Sequence, residues 1–330
     1  MIHTTFGTTA TADRYIEVSQ KEQLLDLICN GTLDNTPLLI IGSGSNIIFT
    51  RHFNGTVLHL TNKGITLRSN DSESASLLVE AAAGEEWDTF VQHCINHGWY
   101  GTENLAAIPG TVGAAPVQNV GAYGIEAKDI IHSVKAIHIA TGFQRTLSNH
   151  ECQFGYRDSI FKNALKGQYI IWSVTFHLRS TFSPNTQYKA LSDALAQQGI
   201  TTPTARQLAD TITSVRWSKL PRPEETGSAG SFFKNPIVSA EQYQQLLTQY
   251  PDIVAYPSGD QYKLSAGWLI DRAGWKGRTM GHCGVYPKQA LVLTNLGGCT
   301  GNEILALSDA ITSDIQNKFG VTLQKEAIII

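Results

Sequence analysis

The stretch 101–124, GTENLAAIPGTVGAAPVQNVGAYG, limits the folds open to this chain more than any other segment. It is nearly uncharged. It is punctuated by Gly101, Gly110, Gly113, Gly121 and Gly124, with Gly98 just before, and by Pro109 and Pro116, which is too broken for an ordinary helix. Small residues let main chain approach a ligand with no Cβ in the way, and successive amides in such turns form concavities that hold anions, phosphate above all. The alternative is a surface loop, but a loop this long in a compact domain is more often functional than idle. A second glycine turn lies upstream in PLLIIGSGSNIIFT, where Gly42, Ser43, Gly44, Ser45 and Asn46 interrupt two apolar runs. It is not the dinucleotide-binding fingerprint, because Ile47 stands at the third glycine position and β-favouring Ile48 and Phe49 come next, where a helix should start. A tight hairpin would read the same way taken alone. Two uncharged glycine loops in the first third of the chain favour a large nucleotide-like ligand lying along both.

The 330 residues, 42% hydrophobic and 16% charged, are enough for two or three domains. A net charge of −3 gives no electrostatic footprint for nucleic acid or an anionic membrane surface. No apolar run approaches the roughly 18 residues of a membrane span, and residues 1–13 lack a basic start followed by an apolar core. A cytoplasmic protein with no membrane insertion and no nucleic-acid partner is expected. Cys29, Cys94, Cys152, Cys283 and Cys299 form no C-x-x-C pair and no zinc spacing, so reduced thiols and no bound metal are expected.

Periodicity organises the rest as α+β. A helix is predicted over 19–30, with Ser19 and Glu22 at capping-box spacing, then strands at 38–41, 47–50, 57–60 and 77–82. A helix over 87–97 ends at Gly98, strands come next at 130–139, 144–147 and 169–178, and helices at 189–198 and 204–215. The proline-bearing WSKLPRPEETG, 217–227, reads as a domain crossing. Beyond it come a helix over 240–250 capped by Ser239, a buried segment at 266–270, a strand at 290–294, an amphipathic helix over 303–319 stopped by Gly320, and a final strand over 321–330.

Three short segments could carry chemistry. In CQFGYRDSIFK, Arg157 is flanked by Phe154, Tyr156 and Phe161, which suits a permanent cation that holds a carboxylate or stabilises developing negative charge; a structural pair with Asp158 is the alternative. In GSAGSFFKNP, Gly227 and Gly230 turn the backbone just before Ser231, and Phe232 and Phe233 bury the chain immediately after it. No histidine lies within four residues and G-x-S-x-G is not matched, so Ser231 reads as a proton donor, a substrate contact or a turn former rather than a hydrolase nucleophile. In LQKEAIII, period two puts the lone carboxylate of Glu326 on the face of Ile328 and Ile330: an active-site acid, a partner for Arg157, or a frayed tail.

In this order and at these separations, IGSGSN, ENLAAIPGTVGAAPVQNVGAYG, FGYRDSIFK, GSAGSFFKNP, KLSAGWLID and the near-terminal Glu326 resemble the UDP-N-acetylenolpyruvoylglucosamine reductases, flavoenzymes of bacterial peptidoglycan synthesis, over nearly the full chain. The resemblance implies an α+β fold with a two-part FAD-binding module of the vanillyl-alcohol-oxidase type and a C-terminal α+β substrate-binding domain. It implies FAD subdomains at 1–68 and 69–215, a substrate domain at 216–320, and a tail, 321–330, returning near the active site. FAD contacts carry over to Gly42, Ser43, Gly44, Ser45, Asn46, Ile108, Pro109, Gly110, Gly113, Ala114, Gln118, Asn119, Gly121 and Ala122. No histidine or cysteine occurs between Pro37 and Thr50, so the flavin is expected to be non-covalent.

The implied reaction is NADPH-dependent reduction of UDP-N-acetylglucosamine enolpyruvate to UDP-N-acetylmuramate. Hydride from flavin N5 adds to the terminal CH2, leaving negative charge on the adjacent carbon, delocalised into the carboxylate. By the family pattern Arg157 stabilises that charge, Glu326 assists when protonated or paired with Arg157, and Ser231 gives the proton. Substrate contacts carry over to Tyr123, Tyr188, Lys219, Asn235 and Gln289, with Tyr188 in an inserted loop present in one branch of the family. A monomer is expected. Two features depart from the familiar pattern: Ala114 and Ala115 stand where some members have serines, and Arg222 where an acidic residue is common. The competing readings are an FAD oxidase of the wider superfamily acting on another substrate, and a sugar-nucleotide-binding protein without catalysis.

Overall fold

In the computed structural model, which describes every residue except Met1, Thr9, Asn35 and Ser72, the chain divides into two units. The larger is built from Ala12–Ser43 and Phe53–Arg216, the smaller from Met1–Thr11, Gly44–His52 and Trp217–Ile330. The chain therefore passes from one to the other inside the first glycine turn, after Ser43. The sequence boundary at 68/69 falls within the larger unit, and that at 215/216 lies one residue from the division after Arg216.

In the larger unit, Phe53–Leu60 is the middle of a three-stranded parallel sheet, with Ala12–Val18 and Leu38–Ile41 on its two sides. A five-stranded antiparallel sheet runs in the order Gln144–Ser148, Ile131–His138, Tyr169–Arg179, Ser76–Ala82 and Ile65–Asp71. Alternation builds its core: Val174, Phe176 and Leu178 are fully buried on one face of the middle strand, while Thr175 and His177 point away. Helix Trp87–Asn96 answers with Trp87, Phe90, Val91, Cys94 and Ile95, the i, i+3, i+4, i+7, i+8 stripe of a helix with one buried face. Its Trp87 and Phe90 rings lie 5.9 and 4.6 Å from that of Phe176. Truncating a core ring of this kind costs about 3–5 kcal/mol. Gly98, at φ +70°, ends the helix as expected.

In the smaller unit, Gly227–Ser231, Val292–Asn295, Cys283–Val285 and Thr279–Met280 form an antiparallel sheet in that order, and Ile237–Ser239, Gln261–Leu264 and Ala255–Ser258 another. Helix Gly301–Phe319 lays Ile304, Leu307, Ile311, Ile315 and Phe319 on the core; Thr300 and Glu303 form a capping box at its start, and Gly320 at φ +65° closes it. Ser239 caps Ala240–Gln249 as predicted, and the buried segment at 266–270 is a helix, Ala266–Arg272, capped by Ser265.

Several local expectations are corrected. Ser19 and Glu22 form no capping box: helix Lys21–Cys29 has Gln20 as its N-cap, so Ser19 stands one position too early to reach the third helical amide. Strands Ala12–Val18 and Ile65–Asp71 had no apolar signature, because most of their side chains face solvent. Helix Ala205–Lys219 runs four residues past its predicted end and stops two residues before Pro221. The tail over 321–330 is strand only at Ile328–Ile329, which pairs in parallel with Ile47–Ile48. Cys283 and Cys299 are joined by a disulfide, with their Cα atoms 5.6 Å apart, and are not reduced thiols. Cys283 lies opposite Asn295 in the sheet, and Asn295 Oδ1 accepts from Cys299 N at 3.0 Å, a pairing that spacing alone does not reveal.

Candidate active site

Within the larger unit the ends of the two glycine stretches touch. A Cβ on Gly42 would lie 2.2 Å from Thr111 Oγ1, so only glycine fits there. Thr111 cannot retreat, because its neighbours are pinned: Trp87 N donates to Gly110 O at 2.9 Å, Val112 N to Glu85 O at 2.9 Å and Gly113 N to Ala83 O at 2.8 Å. Ala114 ends the short 3-10 turn just beyond, Val112–Ala114. Ser43 Oγ is buried and has no hydrogen-bond partner among the described residues. A buried orphan hydroxyl is costly unless a ligand completes it. Asn119 is fully buried, and its side chain donates to Gly155 O and Glu126 Oε2 and accepts from Lys128 N, so it braces the loop.

Arg157 sits in the tight turn between Gly155 and Asp158, at φ +53°, a left-handed conformation costly for a non-glycine residue. Its guanidinium donates to Gly121 O at 2.9 Å and Asn119 O at 3.4 Å, and stacks 5.6 Å from the centre of the Tyr156 ring. Asp158 accepts from Asn163 Nδ2 through both carboxylate oxygens. Gly121–Ala122 and Ile125–Glu126 make a small hairpin whose turn, Tyr123 and Gly124, has φ +48° and +81°. The turn presents the Tyr123 ring edge-on to Tyr188, 5.2 Å away, and burial pushes the Tyr123 hydroxyl pKa up, keeping it a neutral donor.

Arg216 was not foreseen. Its Nε is buried with no partner among the described residues, and its charge is felt by Tyr123, Asp88 and Arg157. Burial, helped by the like charge of Arg157, pushes its pKa down against the pull of Tyr123 and Asp88. Asp88 is committed elsewhere, its Oδ1 accepting from Ala107 N at 2.6 Å. Two guanidinium groups within electrostatic reach of each other favour an anion beside them. The signal was present in the sequence: Arg216 lies four residues beyond Ile212, on the stripe Ala205, Leu208, Ala209 and Ile212 that its helix buries.

Within the smaller unit, Glu326 and Ser231 come together. Glu326 N donates to the carbonyl of Phe232, the residue after Ser231, at 2.8 Å, and Asn46 Nδ2 donates to Glu326 O at 3.2 Å. The tail thus lies between the first glycine turn and the Ser231 strand. Gly230, at φ +69°, and a register shift between Ser228 and Ser231 reaim the strand end that carries the hydroxyl, while Phe232 and Phe233 anchor it in the core. Asn235 and Gln289 each lie against the start of helix Ala266–Arg272: Asn235 Oδ1 accepts from Ala266 N at 2.9 Å, and a Cβ on Gly267 would lie 3.1 Å from Gln289 Oε1. Lys219 is exposed at the end of its helix.

Residues 222–330 match the family model described as UDP-N-acetylenolpyruvoylglucosamine reductase, C-terminal domain, and residues 12–148 match an FAD binding domain. A UDP-N-acetylenolpyruvoylglucosamine reductase of Paraburkholderia phytofirmans is 45% identical over 329 residues, 99% of this chain and 94% of that protein. The chain belongs to the UDP-N-acetylenolpyruvoylglucosamine reductase family. A reductase of Bdellovibrio bacteriovorus is likewise 45% identical, over 96% of this chain and 94% of its own length. The crystal structure of the reductase from Thermus caldophilus, at 22% identity, shares the fold with a TM-score of 0.64 over 99% of this chain and 95% of that one. The expected fold stands: an FAD-binding module followed by the reductase C-terminal domain.

FAD is accordingly the reductase's cofactor, and the residues present fit it. The Gly42 contact on Thr111 leaves backbone where a side chain would otherwise project, and Ser43 Oγ awaits an acceptor or donor. Gly42→Ala is expected to force these turns apart at about 1–3 kcal/mol, weakening FAD binding about tenfold or more. Titration of the apoprotein with FAD, followed by fluorescence quenching, checks this.

A separate cleft of about 620 Å³ on the larger unit is lined by Lys21, Lys63, Arg68, Glu80, Lys135 and Trp172, and holds none of the predicted site residues. Its charges answer one another. Burial alone would raise the Glu80 carboxyl, but hydrogen bonds from Lys135, Ser173 and Arg68 outweigh burial and hold its pKa at about 2. A carboxyl depressed on folding stabilises above its unfolded pKa, near 4.5, and that contribution is lost as pH falls toward about 2. Glu80→Gln is therefore expected to cost about 1–2 kcal/mol at neutral pH, after allowance for solvent screening, and almost nothing near pH 2. Urea midpoints across that range check it.

Proposed function

We propose that this chain reduces UDP-N-acetylglucosamine enolpyruvate to UDP-N-acetylmuramate in peptidoglycan precursor synthesis, with NADPH as the source of hydride, acting as a cytoplasmic monomer. The observation that carries the reading is the backbone ladder that sets Glu326 beside Phe232, the neighbour of Ser231, and ties both to the glycine turn at Asn46. Bound FAD supplies hydride uptake from NADPH and hydride delivery to the enolpyruvyl CH2. It is held by the turn at Gly42, Ser43, Gly44, Ser45 and Asn46 and by the loop carrying Ile108, Pro109, Gly110, Gly113, Ala114, Gln118, Asn119, Gly121 and Ala122.

The chain's own residues handle the charge and the proton. Addition at CH2 leaves negative charge on the adjacent carbon, conjugated with the carboxylate. Arg157, oriented by the carbonyls of Gly121 and Asn119, supplies a fixed cation to that carboxylate, worth roughly 3 kcal/mol. Arg216 adds a second cation for the same carboxylate. Ser231 donates its hydroxyl proton to the carbon, completing the lactyl ether, and regains a proton from solvent. A hydroxyl is a weak acid and serves here because the acceptor carbon is strongly basic. Glu326 acts as the second electrostatic or proton-handling group. Tyr123, Tyr188, Lys219, Asn235 and Gln289 hold the sugar nucleotide, the lysine acting as a point charge toward the diphosphate.

The purified protein should be yellow, with a flavin spectrum, and should oxidise NADPH only when the enolpyruvyl sugar nucleotide is added. A colourless protein that binds the sugar nucleotide would favour simple binding. Oxygen-driven turnover of an alcohol without response to NADPH would favour an oxidase.

A further inference from the structure

The segment before the first strand takes no part in the reaction as proposed, yet it is tied in from several directions. Ile2 N donates to Ala10 O at 2.9 Å and Gly7 N to Thr4 O at 3.0 Å, which close it into a loop, and Phe6 is fully buried in the core of the smaller unit. On one side it meets the first glycine turn: Thr5 N donates to Gly44 O at 3.3 Å, and a Cβ on Gly44, at φ +66°, would lie 2.7 Å from His3 O. On the other side it meets the strand that ends in Ser231: Ser228 N donates to Thr5 O at 3.0 Å, and a Cβ on Gly227 would lie 2.2 Å from Phe6 O. Asn295 Nδ2 holds the same Phe6 carbonyl at 3.0 Å.

The Thr5 hydroxyl lies where these two sides converge. Its Oγ1 is 2.8 Å from Ser228 O and 3.2 Å from Ser45 O. Both carbonyl oxygens lie within hydrogen-bond distance of one hydroxyl, whose proton links the two segments through a single side chain. Ser45 belongs to the turn assigned to FAD, and Ser228 is three residues before Ser231 on the same strand. A shift at either carbonyl is passed along stiff backbone to the cofactor or to the proton donor.

We propose that Thr5 is a positioning residue for the reduction: its hydroxyl sets the flavin-holding turn against the strand that presents Ser231. The inference rests on the functional reading above, since it requires FAD on that turn and Ser231 as the donor. Reduction of the flavin by NADPH needs the turn but not Ser231, whereas reoxidation by the enolpyruvyl sugar nucleotide needs both. A Thr5 defect therefore falls on the second half-reaction.

The test uses the holoenzyme and two substitutions, Thr5→Val, which keeps the shape and removes the donor, and Thr5→Ser, which keeps the donor and removes the methyl. Stopped-flow absorbance follows the two half-reactions separately. Thr5→Val is expected to leave flavin reduction by NADPH unchanged and to slow reoxidation about 10- to 100-fold, the scale of an ångström-sized misplacement of a reacting group; Thr5→Ser is expected to match wild type in both. Wild-type reoxidation by Thr5→Val would overturn the proposal, as would equal slowing of both half-reactions in both variants, which marks packing alone. Should Thr5→Val fail to retain flavin, Thr5→Ser decides: normal reoxidation supports the donor role, slowed reoxidation contradicts it. A wild-type flavin that this substrate does not reoxidise overturns the functional reading, and this inference with it.

Discussion

Replacing Ser231 with alanine is expected to slow reduction of the enolpyruvyl sugar nucleotide by about 10²–10⁴-fold, the contribution of a positioned general acid, while flavin reduction by NADPH proceeds at the wild-type rate. The split comes from the chemistry. The first half-reaction moves a hydride and no proton to carbon; the second cannot finish until the carbon beside the carboxylate is protonated. The alanine variant should also fold normally, because the strand is held by backbone pairing with Val292, by the Phe232 amide on Leu291 O and by the buried Phe232 and Phe233 rings, none of which involves the hydroxyl. Rapid-mixing traces of each half-reaction check the prediction. Equal loss in both would remove Ser231 from the role of proton donor.

Removing the Arg157 guanidinium is expected to lower kcat by about 10²–10³-fold, as for other fixed donors aimed at developing charge. The stability effect should be small, because relief of backbone strain offsets the lost hydrogen bonds to Gly121 O and Asn119 O. Arg157 sits at φ +53°, a conformation that costs a non-glycine residue about 1 kcal/mol or more, so Arg157→Gly relieves backbone strain while deleting the charge. A variant that melts no lower than wild type yet turns over hundreds of times more slowly would identify the strain as retained for chemistry. Arg157→Lys should not rescue activity, because a single ammonium cannot reproduce the fork that reaches both Gly121 O and Asn119 O. Steady-state kinetics beside thermal melts separate these outcomes.

The sequence disclosed this fold unevenly, and for physical reasons. Elements with a strong period were legible. Helix Trp87–Asn96 buries one face, strand Tyr169–Arg179 alternates cleanly from Val174 onward, and Gly301–Phe319 carries its own cap and stop. Strands that lie mostly in water, Ala12–Val18 and Ile65–Asp71, gave no apolar alternation and passed as loop. The interleaving of the units was also hidden, because residues 1–11 and 44–52 join the C-terminal part through contacts distant in sequence. At the site, the glycine turns and the Ser231 and Glu326 segments could be read from small residues, from aromatic anchors and from a carboxylate among isoleucines. Arg216 escaped because it falls just past the predicted helix end at 215 and just before the proline-bearing crossing, although it continues the buried stripe of its helix. Thr5 carries no composition signal at all. Its significance lies in two carbonyls, at Ser45 and Ser228, that only the fold brings to one hydroxyl.

The proposed reaction turns on one transfer, and one anaerobic experiment addresses it. Holoenzyme reduced beforehand and freed of nicotinamide is mixed with one equivalent of UDP-N-acetylglucosamine enolpyruvate in D2O. The expected result is complete return of the oxidised flavin spectrum, with UDP-N-acetylmuramate formed in equal amount and deuterium on the carbon beside the carboxylate. Flavin that stays reduced with the enol ether untouched would contradict it.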